Sequence, residues 1–272
     1  MRDDGYESLY REFDSPLMRQ MRVEAYGEDI GQHSWVTADE LREDITSLAL
    51  SSSSGIVDLG CGPGGPLTFV LATVGCRGTG VDASASALRV TRDRAAALGV
   101  EGLLNVRHAD LDEPLPFETA SFDAAMALDV VLHLRDRARF YGEVARLLRP
   151  GGRFLCTDAG VVTGAMSGDE FRRRSPHGYT TFVPNGVNES LLVAAGFTLL
   201  ATANRTESAR RNATGRIRAI ETHRSELEGT SSPTAVGATE DYLASVVELS
   251  SRKALGRIMY LAVAATPSRS EG

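Results

Sequence analysis

Between residues 56 and 157 the chain alternates short apolar runs with helix-like stretches, and a glycine, proline or capping residue marks each change. Strands are predicted at 56–59, 78–81, 103–109, 122–128 and 153–157, with helices at 66–74, 84–98 and 135–148. Strand-helix alternation of this kind makes parallel neighbours the short route, with helices covering both faces of one sheet. Such sheets bind their ligands outside the carboxyl ends of the strands, where the strand order reverses. The search for a site therefore starts at strand ends.

The first of these ends reads IVDLGCGPGGP, residues 56–66. Gly60, Gly62 and Gly65 spell the dinucleotide pattern G-x-G-x-x-G, whereas Asp58 with Gly60, Gly62 and Gly64 spells D-x-G-x-G-x-G. A carboxylate at Asp58 would repel a pyrophosphate in the turn but would suit a cation, and Pro63 stiffens the turn. The acid ending the second strand, Asp82, stands where a ribose would offer two hydroxyls. After the third strand, Asp110 in RHADL can accept from an adenine amino group, with the Leu111 N–H beside it. Each acid alone also reads as a solvated strand end. Three at successive strand ends point to a nucleoside carrying positive charge.

IVDLGCGPGG, GVDASASAL, RHADLDEPLPF, SFDAAMALDVVLHL and LLRPGGRF, in this order, resemble the motifs of class I S-adenosylmethionine-dependent methyltransferases over about residues 50–160. The resemblance implies a Rossmann-like, doubly wound α/β sheet of seven strands whose last strand runs antiparallel, and S-adenosylmethionine (SAM) as cofactor. It implies cofactor contacts at Asp58, Gly60, Cys61, Gly62, Asp82, Ala83, Asp110, Leu111 and Leu128. The segment YGEDIGQHSW, residues 26–35, is similar to the lid of the small-molecule branch that includes tocopherol and sterol C-methyltransferases. There Gln32 and Trp35 are the expected cofactor contacts, with Trp35 taken as exposed.

Outside the core, Pro16 behind Asp14-Ser15 predicts a helix restart, so two short helices are expected near the N-terminus. Thr37 and Glu40 form a T-x-x-E capping box ahead of the apolar face Leu41, Ile45 and Leu48. Late strands are expected near 197–203 and 257–264, with two helices inserted between 205 and 251. The organisation is thus a helical N-terminal lid (1–50), a cofactor-binding core (51–160) and a substrate-capping segment with the helical insertion and last strands (161–272). Methyl transfer needs a base only when the acceptor must lose a proton, and histidines titrate near working pH. His133 in DVVLHL, His177 beside Tyr179, and His33 in the lid are the candidates; each reads equally as a hydrogen-bonded wall residue. Asp129, four residues before His133, is the expected partner that would orient it. The run Arg172-Arg173-Arg174 reads as a solvated face or, alternatively, as a grip on an anionic substrate.

Composition closes off several classes. The 272 residues carry a formal net charge of −7, which argues against a nucleic-acid partner. No run approaches a membrane span and the N-terminus is acidic rather than signal-like, so a cytoplasmic protein is expected. Three scattered cysteines suit a reducing compartment and offer no metal-ligand spacing. The expected activity is methyl transfer to N, O or C of a small molecule in natural-product metabolism, by a monomer or a homodimer. An NAD(P)-dependent oxidoreductase and a non-catalytic SAM-binding partner are the alternatives.

Overall fold

The computed structural model describes Tyr10, residues 13–175 and residues 180–265. His177, Tyr179 and most of the first expected helix lie outside the described residues. The restart behind it is present: Ser15 accepts from the Met18 N–H, and Pro16 opens helix α1 (Pro16–Tyr26). Helix α2 (Ala38–Leu48) follows, capped by Thr37 through the Glu40 N–H. Only half of the expected capping box forms here, because the Glu40 carboxylate points to Arg257 instead of back to the cap. A complete box occurs elsewhere, at Ser167 and Glu170, opening the short helix α6 (Gly168–Arg173).

The core runs as β1 (Gly55–Leu59), α3 (Gly65–Val74), β2 (Arg77–Asp82), α4 (Ala85–Ala97), β3 (Leu104–His108), β4 (Phe122–Leu128), α5 (Arg137–Leu147) and β5 (Leu148–Val162). After α6 come a two-residue strand β6 (Val183–Pro184), α7 (Val187–Ala194), β7 (Phe197–Asn204), α8 (Thr206–Thr230), α9 (Pro233–Ser251) and β8 (Leu255–Ala264). The sheet order is β3-β2-β1-β4-β5-β8-β7, and β8 runs antiparallel to both β5 and β7. This is the expected seven-stranded sheet with a reversed last strand. Strand β5 extends past the predicted end at 157: a register shift between Asp158 and Val161 lets it continue along β8 and pair with β6.

Alternation along each strand divides the core into two layers. Val57 and Leu59, Ala125 and Ala127, and Phe154 and Cys156 face α5 and α7. Ile56, Ala124, Met126 and Leu155 face α2, α3 and α4. A third apolar cluster joins the excursion between β7 and β8 to the N-terminal segment, with Ala213, Ile220, Leu243 and Val246 packed around Met21, Trp35 and Ala159. Among the described residues no helix is long and apolar enough to cross a membrane.

Candidate active site

Strand order reverses between β1 and β4, the neighbours at the centre of the sheet. The turn after β1 opens beside that point. Gly60, Gly62 and Gly64 all adopt positive φ, and Gly64 caps α3 in the left-handed region. Gly65 is required for a different reason: a Cβ there would sit 2.2 Å from the carbonyl carbon and oxygen of Gly31. The backbone of the N-terminal loop thus rests directly on the turn. Tyr10 also lies over it, its hydroxyl 3.4 Å from where a Cβ on Gly62 would be.

Two acids stand at the turn and a third, Asp110, follows β3, each engaged differently. Asp58 is 2% exposed, and among the described residues its carboxylate has no hydrogen-bond or ion-pair partner. Burial first, and then the nearby Asp82 charge, hold its pKa well above the usual carboxylate range. Asp82 accepts from the Gly62 N–H at 2.9 Å and the Ser84 N–H at 2.8 Å, tying the end of β2 to the turn. Asp110 accepts from the Asp112 N–H at 2.9 Å, while the Leu111 side chain is buried in the sheet's core. The Ala83 carbonyl is held 2.8 Å from His108 Nε2, so His108 braces the end of β2. The side chain of Leu128, at the end of β4, is buried in the opposite layer.

Other expected contacts serve the scaffold. The Cys61 thiol packs against the Gly62 carbonyl and beneath Gly80, and burial, then Asp82 and Asp58, push its pKa well up. It is a thiol rather than a thiolate. Gln32 is 1% exposed and closes its own loop, accepting from the Ile30 N–H and donating to the Glu28 carbonyl. Its side chain is spent on the loop. His33 sits edge-on to Tyr10 and Phe13, with ring centroids 5.6 and 6.0 Å away. His223, on α8, meets Glu24 of α1 at 3.1 Å and marks a kink in its helix.

Trp35 is not exposed as expected. It is 6% exposed, stacked on Tyr242 of α9 at 6.3 Å, with the Arg216 guanidinium 5.3 Å from its ring. The inserted helices supply that cover, which hydrophobicity near Trp35 could not reveal. Its backbone is held from two sides: the N–H donates to Asp129 at 2.9 Å and the carbonyl accepts from Asn212 at 2.7 Å.

The expected Asp129–His133 pair does not form. Asp129 has a φ of 58° and lies outside the turn Val131–His133, so four-residue spacing does not align the two side chains. Its carboxylate accepts from Trp35, from Thr157 Oγ1 at 2.8 Å and from Arg257 Nε at 2.9 Å. Arg257 continues to Glu40 at 2.8 Å, and Arg205 binds Asp44 through two nitrogens at 2.9 and 2.6 Å. This buried ion network locks α2, β4 and β8 together beside the site. Two signals for it lie in the sequence: Asp129 is a fourth acid at a strand end, and Arg257 interrupts an apolar strand.

A profile of the methyltransferase domain family matches residues 57–156. Over these residues the chain is similar to a methyltransferase domain. Methyltransferase GfsG of Streptomyces halstedii is 35% identical over 119 residues, 44% of this chain and 42% of that protein. The 27-O-demethylrifamycin SV methyltransferase of Amycolatopsis mediterranei (strain S699) is 30% identical over 142 residues, 49% and 52% of the two chains. The chain spans about half the length of the curated relatives it matches. In overall fold the chain is similar to phosphoethanolamine N-methyltransferase 2 of Haemonchus contortus, with a TM-score of 0.79 at 20% identity over 96% of this chain and 60% of that one. The matched region begins inside β1 and ends inside β5, so it contains the turn and all three acids.

Proposed function

We propose that this protein transfers a methyl group from SAM to a small organic acceptor. The observation that carries the reading is Asp58: a buried carboxylate with no partner among the described residues, raised in pKa, next to the end of β1 and near a second carboxylate. A site of this electrostatic character favours a ligand that brings positive charge, and SAM carries an ammonium and a sulfonium. An NAD(P) pyrophosphate would meet two carboxylates there, and the Gly62 N–H that could cradle it already donates to Asp82. The donor set fits SAM and disfavours a dinucleotide.

Bound SAM supplies an electrophilic methyl group on sulfur. The chain's own residues would do the holding: Asp58 and the turn Gly60–Gly62 take the amino-acid end, Asp82 and Ala83 the ribose, Asp110 and Leu111 the adenine, and Leu128 the edge near the methyl. Loops 27–35 and the helices α1, α8 and α9 would form a lid that closes the site and excludes water. His133, following β4, is the described candidate to accept a proton from the acceptor. The closed helical cap supports a small molecule rather than a nucleic acid. The rifamycin relative, named for its natural-product substrate, supports a role in specialised metabolism. All three cysteines are free thiols, which supports action in a reducing cytoplasm. Calorimetry with SAM, S-adenosylhomocysteine, NAD and NADP tests the reading: the first two should bind and the last two should not. NAD binding without a SAM signal would overturn it.

A further inference from the structure

The run Arg172-Arg173-Arg174 splits in the folded chain. Arg172 is exposed beside Asp169, and Arg173 is exposed 3.2 Å from Glu248. Arg174 turns inward and is 3% exposed. Its Nη2 donates to the Ala159 carbonyl at 3.3 Å and its guanidinium lies 4.9 Å over the Tyr242 ring. Among the described residues its buried Nε and Nη1 have no hydrogen-bond partner and it meets no carboxylate. The neighbouring buried arginine differs: Arg257 is matched by Asp129 and Glu40.

Arg174 lines a pocket partly open to solvent, with Trp35, Ala159, Ala209, Val246 and Arg257 among its walls. A buried cation without a counter-ion is among the costliest arrangements in a protein, and the folded chain tolerates it only where something offsets it. Water could satisfy the orphaned N–H groups but not the charge. The pocket also sits where an acceptor would be. Ala159 lies in β5 at the register shift between Asp158 and Val161, next to the central strand β4, and Trp35 is pinned to Asp129, the residue after Leu128.

We propose that the methyl acceptor is a small molecule carrying an oxyanion, a carboxylate or a phosphate, and that Arg174 binds this group in the pocket. The assignment to the acceptor rests on the methyl-transfer reading above; the anion pocket itself does not.

Trp35 is the single tryptophan of the chain and forms the pocket wall, so its fluorescence reports occupancy. The full-length protein, with and without S-adenosylhomocysteine, is titrated with benzoate, inorganic phosphate, neutral benzamide and sodium chloride at matched ionic strength. A saturable change is expected with benzoate or phosphate and none with benzamide or chloride; which oxyanion saturates names the source. In Arg174→Met the affinity should fall by about tenfold or more, while Arg174→Lys keeps part of it. Arg174→Met should melt no lower than the wild type without ligand, because it removes a lone buried charge. No saturable response to either oxyanion, or an Arg174→Met response equal to wild type, overturns the pocket. A marked fall in melting temperature for both variants would show a structural arginine and overturn it too. S-adenosylhomocysteine binding, followed separately by calorimetry, should be unchanged in Arg174→Met. Its absence in the wild type would remove the acceptor assignment while the anion titration still decided the pocket.

Discussion

The backbone N–H of Trp35 donates to the carboxylate of Asp129 at 2.9 Å, joining two residues 94 positions apart. That carboxylate also neutralises Arg257, which is 1% exposed, so the N-terminal loop and the last strand share one charge. Asp129→Asn keeps the left-handed backbone accessible to an amide side chain but leaves Arg257 short of charge. The variant should lose about 3 kcal/mol of stability, as expected when one partner of a buried pair is removed. Urea denaturation of Asp129→Asn, Arg257→Met and the double variant checks this, with the double variant less damaged than the sum of the singles.

With Asp58 in the proposed cofactor site, binding is expected to be linked to proton release. The Asp58 pKa is raised by burial and Asp82, so the folded form takes up protons that the unfolded chain, near 3.8, would release. The sign follows: this group's contribution to stability is present at low pH and is lost as pH rises through the raised value. A cationic ligand reverses the balance by favouring the carboxylate. Binding of S-adenosylhomocysteine should therefore release protons and tighten as pH rises through that range. Calorimetry in buffers of different ionisation enthalpy measures the release directly, and Asp58→Asn should abolish it.

Gly65→Ala places a methyl group against the Gly31 backbone at 2.2 Å, where no side chain can swing away. Overpacking of this sort costs about 1–3 kcal/mol. The loop around Gly31 should lift off the turn, and S-adenosylhomocysteine affinity should fall with the melting temperature. Gly237→Ala, inside α9 with no atom in reach of a Cβ, is the control: it should leave affinity unchanged and should not lower the melting temperature.

His133→Ala tests the proton acceptor. If the imidazole takes a proton from the acceptor, kcat should fall by about 10²-fold while affinity for SAM stays unchanged. The variant should also lose a pKa from the pH–rate profile. Because Asp129 is committed to Trp35, Thr157 and Arg257, any tuning of His133 comes from other neighbours. Loss of SAM affinity with turnover retained at saturation would instead mark His133 as a wall.

The parts of this fold that were legible in the sequence are those governed by near neighbours along the chain. The glycine turn, the Ser15-Pro16 restart and the alternating faces of β1 and β4 depend on a few adjacent residues. The network around Asp129 does not. Arg257 and Glu40 are 217 positions apart, and only packing brings them to 2.8 Å. The same holds for Trp35, whose cover comes from α8 and α9. Three consecutive arginines look alike in sequence; the end of α6 decides that Arg174 is the one turned inward. Local patterns thus located the glycine turn and the strand-end acids, and long-range packing built the wall around Arg174.

Strands β7 and β8 are antiparallel neighbours, a pair that a two-residue hairpin can join. Here α8 and α9 occupy that junction and supply Tyr242, Ala209 and Val246 to the wall around Arg174. The sheet does not need them to set its register. Their place in the chain makes them an exchangeable cassette: a different excursion grafted between Asn204 and Leu255 would remake the wall around Arg174 while leaving the glycine turn and its acids in place.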